Sequence, residues 1–276
     1  MLPEVPRSAG SGAETAAAVR ERALAAGLPP SAAEDLDRRW GSLPPAVRRQ
    51  VAAPLRPPRG SAHLLWGADA AVQTDATTCG SAVLAMLAAA GDPGLALWLA
   101  TGEELPGYVP PEVRFVERVR PGALPLSPRR RFAAVQLAVK HVTNLLGPVA
   151  WPHGLGTPPW GAVRAARFGP VRFRGEMVDD GDRGRTADQL DRAALALGAG
   201  IPVPLYVQGD LGGGLAHAVP RHVVLLTAAD DDGFTTYEPG HGAMARIARA
   251  DLLDPVGPQR ALGGWAHGAW ILLPRM

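Results

Sequence analysis

Cysteine is nearly absent from this 276-residue chain: Cys79 stands alone. One thiol cannot close an internal disulfide, form a Cys-x-x-Cys redox pair or build a Cys-rich zinc site. Lysine is as scarce, since of 28 basic residues only Lys140 is a lysine. The excess of Arg, Ala, Gly and Pro matches a GC-rich coding background, so a single arginine says little about chemistry. Net charge is also small, at +2, which argues against a nucleic-acid or membrane-surface partner. Aromatics make up 5% of the chain. The densest basic stretch, Arg114, Arg118, Arg120 and Arg129 to Arg131, has only Phe115 and Phe132 near it. It reads as a solvated surface rather than a stacking platform for single strands. Long apolar runs are missing too. The best candidate, Ala82 to Ala90, is stopped by Gly91-Asp92-Pro93, far short of a bilayer span. Glu4 and Glu14 interrupt the N-terminal stretch, which has no signal-peptide pattern. Neither a Gly-x-Gly-x-x-Gly turn nor a phosphate loop occurs, so no cofactor is expected. The expectation is a soluble, cytoplasmic protein.

What the chain does have is 47% hydrophobic residues, enough for a globular core. Residues 1–12 read as a loose tail. Helices are expected over 13–27 and from Ser31 to Trp40, where Ser31 and Glu34 have capping-box spacing. Pro54, Pro57, Pro58 and Gly60 mark a break. Residues 1–59 are therefore read as an N-terminal helical extension and 60–276 as the main domain. Within that domain a helix is expected from Cys79 to about Ala90, with one more turn from Leu95 to Ala100. Another runs over Phe132 to Leu146 and ends at Gly147-Pro148. A further helix spans Thr186 to Leu197, with Thr186 as its cap. Residues 107–131 are read as mostly loop, and 151–185 carry no periodic signal. Strands are expected at Ile201–Val207, His222–Thr227 and Gly233–Tyr237, with a fourth at Trp270–Leu273. Helices first and an antiparallel sheet later make an α+β fold.

The chemistry concentrates around Cys79. A thiol at the start of an apolar helix meets unpaired N–H groups and the positive end of the dipole, which favour a thiolate. Gly80 allows close backbone approach. A thiolate attacking a carbonyl needs donors for the oxyanion, and the Cys79 N–H and the Gln73 amide are the candidates. Among the seven histidines, His222 is best placed as the base, because it opens a β-branched strand. Glu238 closes the next strand in Tyr237-Glu238-Pro239-Gly240, where a hairpin would bring it beside His222 to orient the ring. Asp230, Asp231 and Asp232 are alternatives for that role, but they lie in the hairpin turn. His217, His222 and His241 are possible metal ligands by residue type, but their spacing fits no His-Glu-x-x-His pattern, and no metal is expected.

These strings resemble a family. A Gln followed six residues later by Cys-Gly-Ser at a helix start, as in Gln73 and Cys79-Gly80-Ser81, is similar to papain-like-fold cysteine peptidases. The bacterial peptidase C39-like group is the nearest. His222-Val223-Val224-Leu225 matches the family's His at a strand start. Glu238-Pro239-Gly240 stands where the family has an Asp-Pro-Gly-like turn, with Glu for the usual Asp. The aromatic that follows the Cys motif in papain is absent. The resemblance covers residues 72–90 and 219–240.

The resemblance implies a papain-like fold with the Cys helix packed on a C-terminal antiparallel sheet, and a cleft for a peptide or protein substrate. It implies a thiol hydrolase that cleaves an amide bond through an acyl-enzyme, with Cys79, His222, Glu238 and Gln73 as site residues. A thiol acyltransferase or deamidase would use the same constellation. A non-catalytic papain-like module that binds a peptide or protein is the alternative of a different class.

Overall fold

The computed structural model of the protein describes residues 15–119, 121–122, 127–145, 151, 154, 156–179, 181–209 and 222–275. The tail at 1–12, the Gly147-Pro148 stop, Arg120, His153 and His217 lie outside these residues.

Three N-terminal helices come first: α1 (Ala16–Ala25), α2 (Pro30–Trp40) and α3 (Pro45–Ala52). Val19, Leu28, Leu36, Trp40 and Val51 form an apolar cluster that reaches Leu97 and Leu105 of the following part. A two-stranded hairpin, β1 (Leu65–Trp66) and β2 (Asp69–Ala70), then leads to α4 (Cys79–Gly91) and α5 (Pro93–Thr101). Next come α6 (Pro111–Val119), α7 (Pro128–Leu145) and α8 (Pro159–Ala165). The remainder is β3 (Arg167–Phe168), β4 (Val171–Met177), α9 (Arg183–Gly198), β5 (Val203–Gln208), β6 (His222–Ala229), β7 (Gly233–Glu238), β8 (Ala243–Ala248), α10 (Arg249–Leu253) and β9 (His267–Pro274).

Among the described residues the large sheet has seven strands in the order β3-β4-β9-β5-β6-β7-β8, and every neighbouring pair is antiparallel. The architecture is α+β, with the helices packed against a C-terminal antiparallel sheet. Both faces of the central strands are covered. On one face Leu205 and Ile271 meet Leu190 of α9. On the other, Tyr206 and Val223 lie toward the start of α4. That explains why β6 reads as a continuous apolar run rather than an alternating one. Every residue of α4 is buried. Its alanines and glycines let α7 and the sheet approach closely; a Cβ on Gly91 would stand 2.3 Å from the Gly169 nitrogen. Among the described residues no single helix is long and apolar enough to cross a membrane.

Several local expectations change. The Ser31–Glu34 capping box does not form, because Pro30 opens α2 and Ser31 already lies inside it. Residues 107–131 are not mostly loop: α6 and the first turn of α7 occupy much of them. Leu95–Ala100 belongs to a nine-residue helix capped by the Asp92 side chain. Asp182 rather than Thr186 caps α9, while the Thr186 hydroxyl donates to the Asp179 carbonyl. In 151–185 the weak signal concealed α8, β3 and β4. One physical reason recurs. Helices α2, α3, α5, α6, α7 and α8 all begin with proline. Proline at the first helical position is a starter, because its missing N–H would be unpaired there anyway.

Candidate active site

Cys79 is the first residue of α4, with Thr78 as its cap. The loop before it is held firmly. The Thr78 hydroxyl accepts from the Thr74 and Asp75 N–H groups and donates to the Asp75 carbonyl. Gln136 of α7, fully buried, accepts from the Thr74 N–H and hydroxyl and donates to the Val72 carbonyl. Lys140, one turn further along α7, donates to the Thr77 hydroxyl. Asp75 accepts from both the N–H and the hydroxyl of Thr77. Burial raises the Asp75 pKa, but these Thr77 bonds and the Lys140 charge outweigh it and hold the carboxyl below its ordinary value.

His222 opens β6 and Glu238 closes β7, as the hairpin argument requires. The ring Nε2 lies 2.8 Å from Glu238 Oε1, with His222 8% and Glu238 3% exposed. Glu238 is saturated with donors. Oε1 also accepts from the Gly240 N–H at 2.6 Å. Oε2 accepts from the His241 N–H at 2.9 Å and its Nδ1 at 2.6 Å. Burial pushes the Glu238 pKa up, but the bonds from His222, His241 and Gly240 overcome it and bring it down to about 2. A carboxylate only accepts. The His222 Nε2 therefore carries a hydrogen, and Nδ1 is the nitrogen left for the thiol.

Burial also pulls the His222 pKa down. Hydrogen bonding to Cys79 and Glu238, together with their charges, reverses this and raises it to about 9. The Cys79 charge is felt on the other side by the buried Tyr206 phenol, whose pKa burial and that charge push well above its ordinary value. Gly263, at φ +67°, lies over the imidazole. A Cβ there would stand 2.6 Å from the ring Nε2, so only glycine permits this cover.

The structure thus brings Cys79, His222 and Glu238 together at the junction of α4 with β6 and β7. The Asp230 to Asp232 turn lies at the far end of the same hairpin, with Asp230 paired to Arg246 instead. Gln73 is close to the site through its backbone, whose N–H donates to the Pro239 carbonyl at 2.8 Å. Its side chain is engaged locally: Nε2 donates to the Asp75 carbonyl at 2.9 Å, and Oε1 is buried without a partner. Sequence reasoning missed Gln136, Lys140 and Thr157, and considered His241 as a metal ligand rather than as a donor to Glu238. Of the three missed, only Lys140 carried a signal, as the one lysine of an arginine-rich chain. Among the described residues no group of three or more His, Cys, Asp or Glu is arranged to hold a metal ion.

Compared with models of known protein families and with curated proteins, the chain matches none.

Proposed function

We propose that the protein is a cysteine peptidase or a related thiol hydrolase, which cleaves an amide bond of a peptide or protein through an acyl-enzyme. The reading takes the fold as papain-like and the site as similar to that of the C39-like group. The observation that carries it is the buried His222–Glu238 contact at 2.8 Å, with Cys79 near enough to the same ring to raise its pKa. Glu238 supports the imidazolium, and the imidazolium with the start of α4 supports a Cys79 thiolate.

In the proposed reaction the Cys79 sulfur attacks the substrate carbonyl carbon. A C–S bond forms, and the carbonyl π pair moves to oxygen. Collapse of that oxyanion expels the amine, which takes the proton of His222, and leaves a thioester. Neutral His222 then accepts a proton from water. The resulting hydroxide attacks the thioester, a carboxylic acid leaves, and the thiolate–imidazolium pair is restored. A different amine in place of that water would make the enzyme an acyltransferase. A cytoplasmic location suits a catalytic thiol with no disulfide partner.

Cys79 is only 4% exposed, and this burial favours a second reading, a non-catalytic module that binds a peptide or protein. Iodoacetamide separates the two. An activated Cys79 is alkylated well below pH 8; an ordinary thiol-like pH dependence overturns the hydrolase reading. An electrophilic activity probe combined with a peptide library then reads the preferred acyl group.

A further inference from the structure

The start of α4 is short of hydrogen-bond partners. Thr78, its cap, turns its hydroxyl back into the preceding loop and makes no side-chain bond to the helix. Among the described residues no backbone or side-chain acceptor meets the N–H groups of Cys79, Gly80 or Ser81. An uncapped and buried helix start is an anion site awaiting its anion.

A second and independent observation lies beside it. Thr157, between α7 and α8, is 4% exposed, and its Oγ1 is buried with no partner. Its position is fixed. The Tyr206 phenol donates to the Thr157 carbonyl at 3.1 Å. The side chain occupies the space a Cβ on Gly80 would need, at 2.8 Å from Thr157 Cβ and 3.0 Å from Oγ1. A hydroxyl buried without a partner is unfavourable unless something arrives to use it. Gln73, the side chain expected to serve as oxyanion donor, spends its Nε2 on the Asp75 carbonyl.

We propose that Thr157 is a further catalytic residue, whose hydroxyl joins the Cys79 N–H in donating to the oxyanion formed when Cys79 attacks a carbonyl. This rests on the reading of Cys79 as the nucleophile. The hydroxyl bonds the oxyanion more strongly than the neutral carbonyl oxygen, and it has no role in a reaction that generates no oxyanion. Acylation and alkylation of the same thiol therefore separate its contribution from that of the Cys79–His222 pair.

The experiment uses the full chain with p-nitrophenyl acetate as acyl donor and iodoacetamide as alkylating agent. Thr157→Val keeps the shape and removes the hydroxyl; Thr157→Ser keeps the hydroxyl. The expected result for Thr157→Val is a fall of about 10²-fold in the nitrophenolate burst rate. Its alkylation rate and melting temperature stay at or above wild type. Thr157→Ser recovers most of the burst, and Gln73→Ala loses less than Thr157→Val. A wild-type burst rate in Thr157→Val overturns the proposal, and so does a parallel loss of burst and alkylation, which would make the residue structural. If the wild-type thiol itself resists iodoacetamide below pH 8, the nucleophile reading fails first, and this proposal fails with it.

Discussion

Two buried polar clusters sit at the two ends of α4, and they are built on opposite rules. At the C-terminal end Arg167 lies between Glu112 and Asp92: its Nε is 2.8 Å from Glu112 Oε1 and its Nη2 is 2.9 Å from Asp92 Oδ2. The Tyr108 hydroxyl donates to the same Asp92 oxygen, and Asp92 Oδ1 caps α5 through the Gly94 and Leu95 N–H groups. No buried side-chain atom of these four residues lacks a partner. At the N-terminal end Glu238 and the His222 Nε2 are satisfied, but Thr157 Oγ1, Gln73 Oε1 and the first-turn N–H groups are not. A saturated network joins α4, α5, α6 and β3 and offers nothing to a ligand. An unsaturated one is less stable in the resting protein and keeps its capacity for an incoming group.

The sharpest way to break this contrast is at Arg167. Arg167→Met leaves two buried carboxylates without their cation and is expected to destabilise the fold by roughly 3–5 kcal/mol, measured by urea unfolding. The fraction that remains folded should still alkylate at Cys79 as wild type does. Cys79→Ala should do the reverse, removing all labelling while lowering the unfolding midpoint near neutral pH only by the share of the His222 contribution that the sulfur supplies. A stable Arg167→Met protein would mean that the saturated cluster is not structural.

The next effect follows from pH. The folded His222 pKa is raised to about 9 from 6.5, so its contribution is fully present below about 6.5 and is lost as pH rises through about 9. Glu238, lowered to about 2 from 4.5, contributes above about 4.5 and loses that contribution as pH falls through about 2. Between pH 6.5 and 9 the stability contributed by His222 should decline by on the order of 2–3 kcal/mol. Cys79→Ala, lacking the sulfur beside the ring, should flatten that slope in thermal melts taken across the range. A slope unchanged in the variant would detach His222 from the thiol.

Glu238→Gln probes the same unit more gently. The amide still bonds the ring but no longer supports its charge. Alkylation at pH 6 is expected to fall by about tenfold, and the melting temperature should fall too, because the single amide oxygen can serve the His222 and Gly240 donors or the His241 donors but not both. Equal rates in wild type and variant would show that the Glu238 charge is not coupled to the thiol.

How much of this was legible in the sequence differs between the two ends. Cys79 at a helix start, His222 at a strand start and Glu238 at the close of the next strand follow from local patterns: an apolar run after Cys-Gly-Ser, a β-branched run, and a Pro-Gly turn. Hairpin pairing brings His222 and Glu238 together, and it is the resemblance to papain-like peptidases that sets Cys79 beside them. The C-terminal cluster was not legible. Asp92, Glu112 and Arg167 meet only through the packing of α6 and β3 against α5, and residues 107–131 and 151–185 were read as loop or as signal-poor. Their prolines look like breakers where they act as helix starters, and their many arginines hide the two that are buried, Arg131 and Arg167. Thr157 was equally invisible, since an unpaired hydroxyl exists only once its surroundings are packed.

The smallest expected effect concerns Lys140, which holds the loop before Cys79 from α7. Its ammonium donates to the Thr77 hydroxyl and lies close enough to Asp75 to lower that carboxyl's pKa. Arginine would bring a wider planar group to a place where a compact charge sits against Thr77. Lys140→Ala should cost about 0.5 kcal/mol or less in unfolding free energy, because the pair is partly solvated. Its effect should appear instead in the acylation burst, reduced a few-fold as the Gln73–Thr78 loop loosens, while iodoacetamide labelling stays near wild type. Lys140→Arg should fall between the two. If both variants acylate at the wild-type rate, Gln136 and the Thr78 hydroxyl alone position the loop, and the single lysine of the chain is as incidental as most of its arginines.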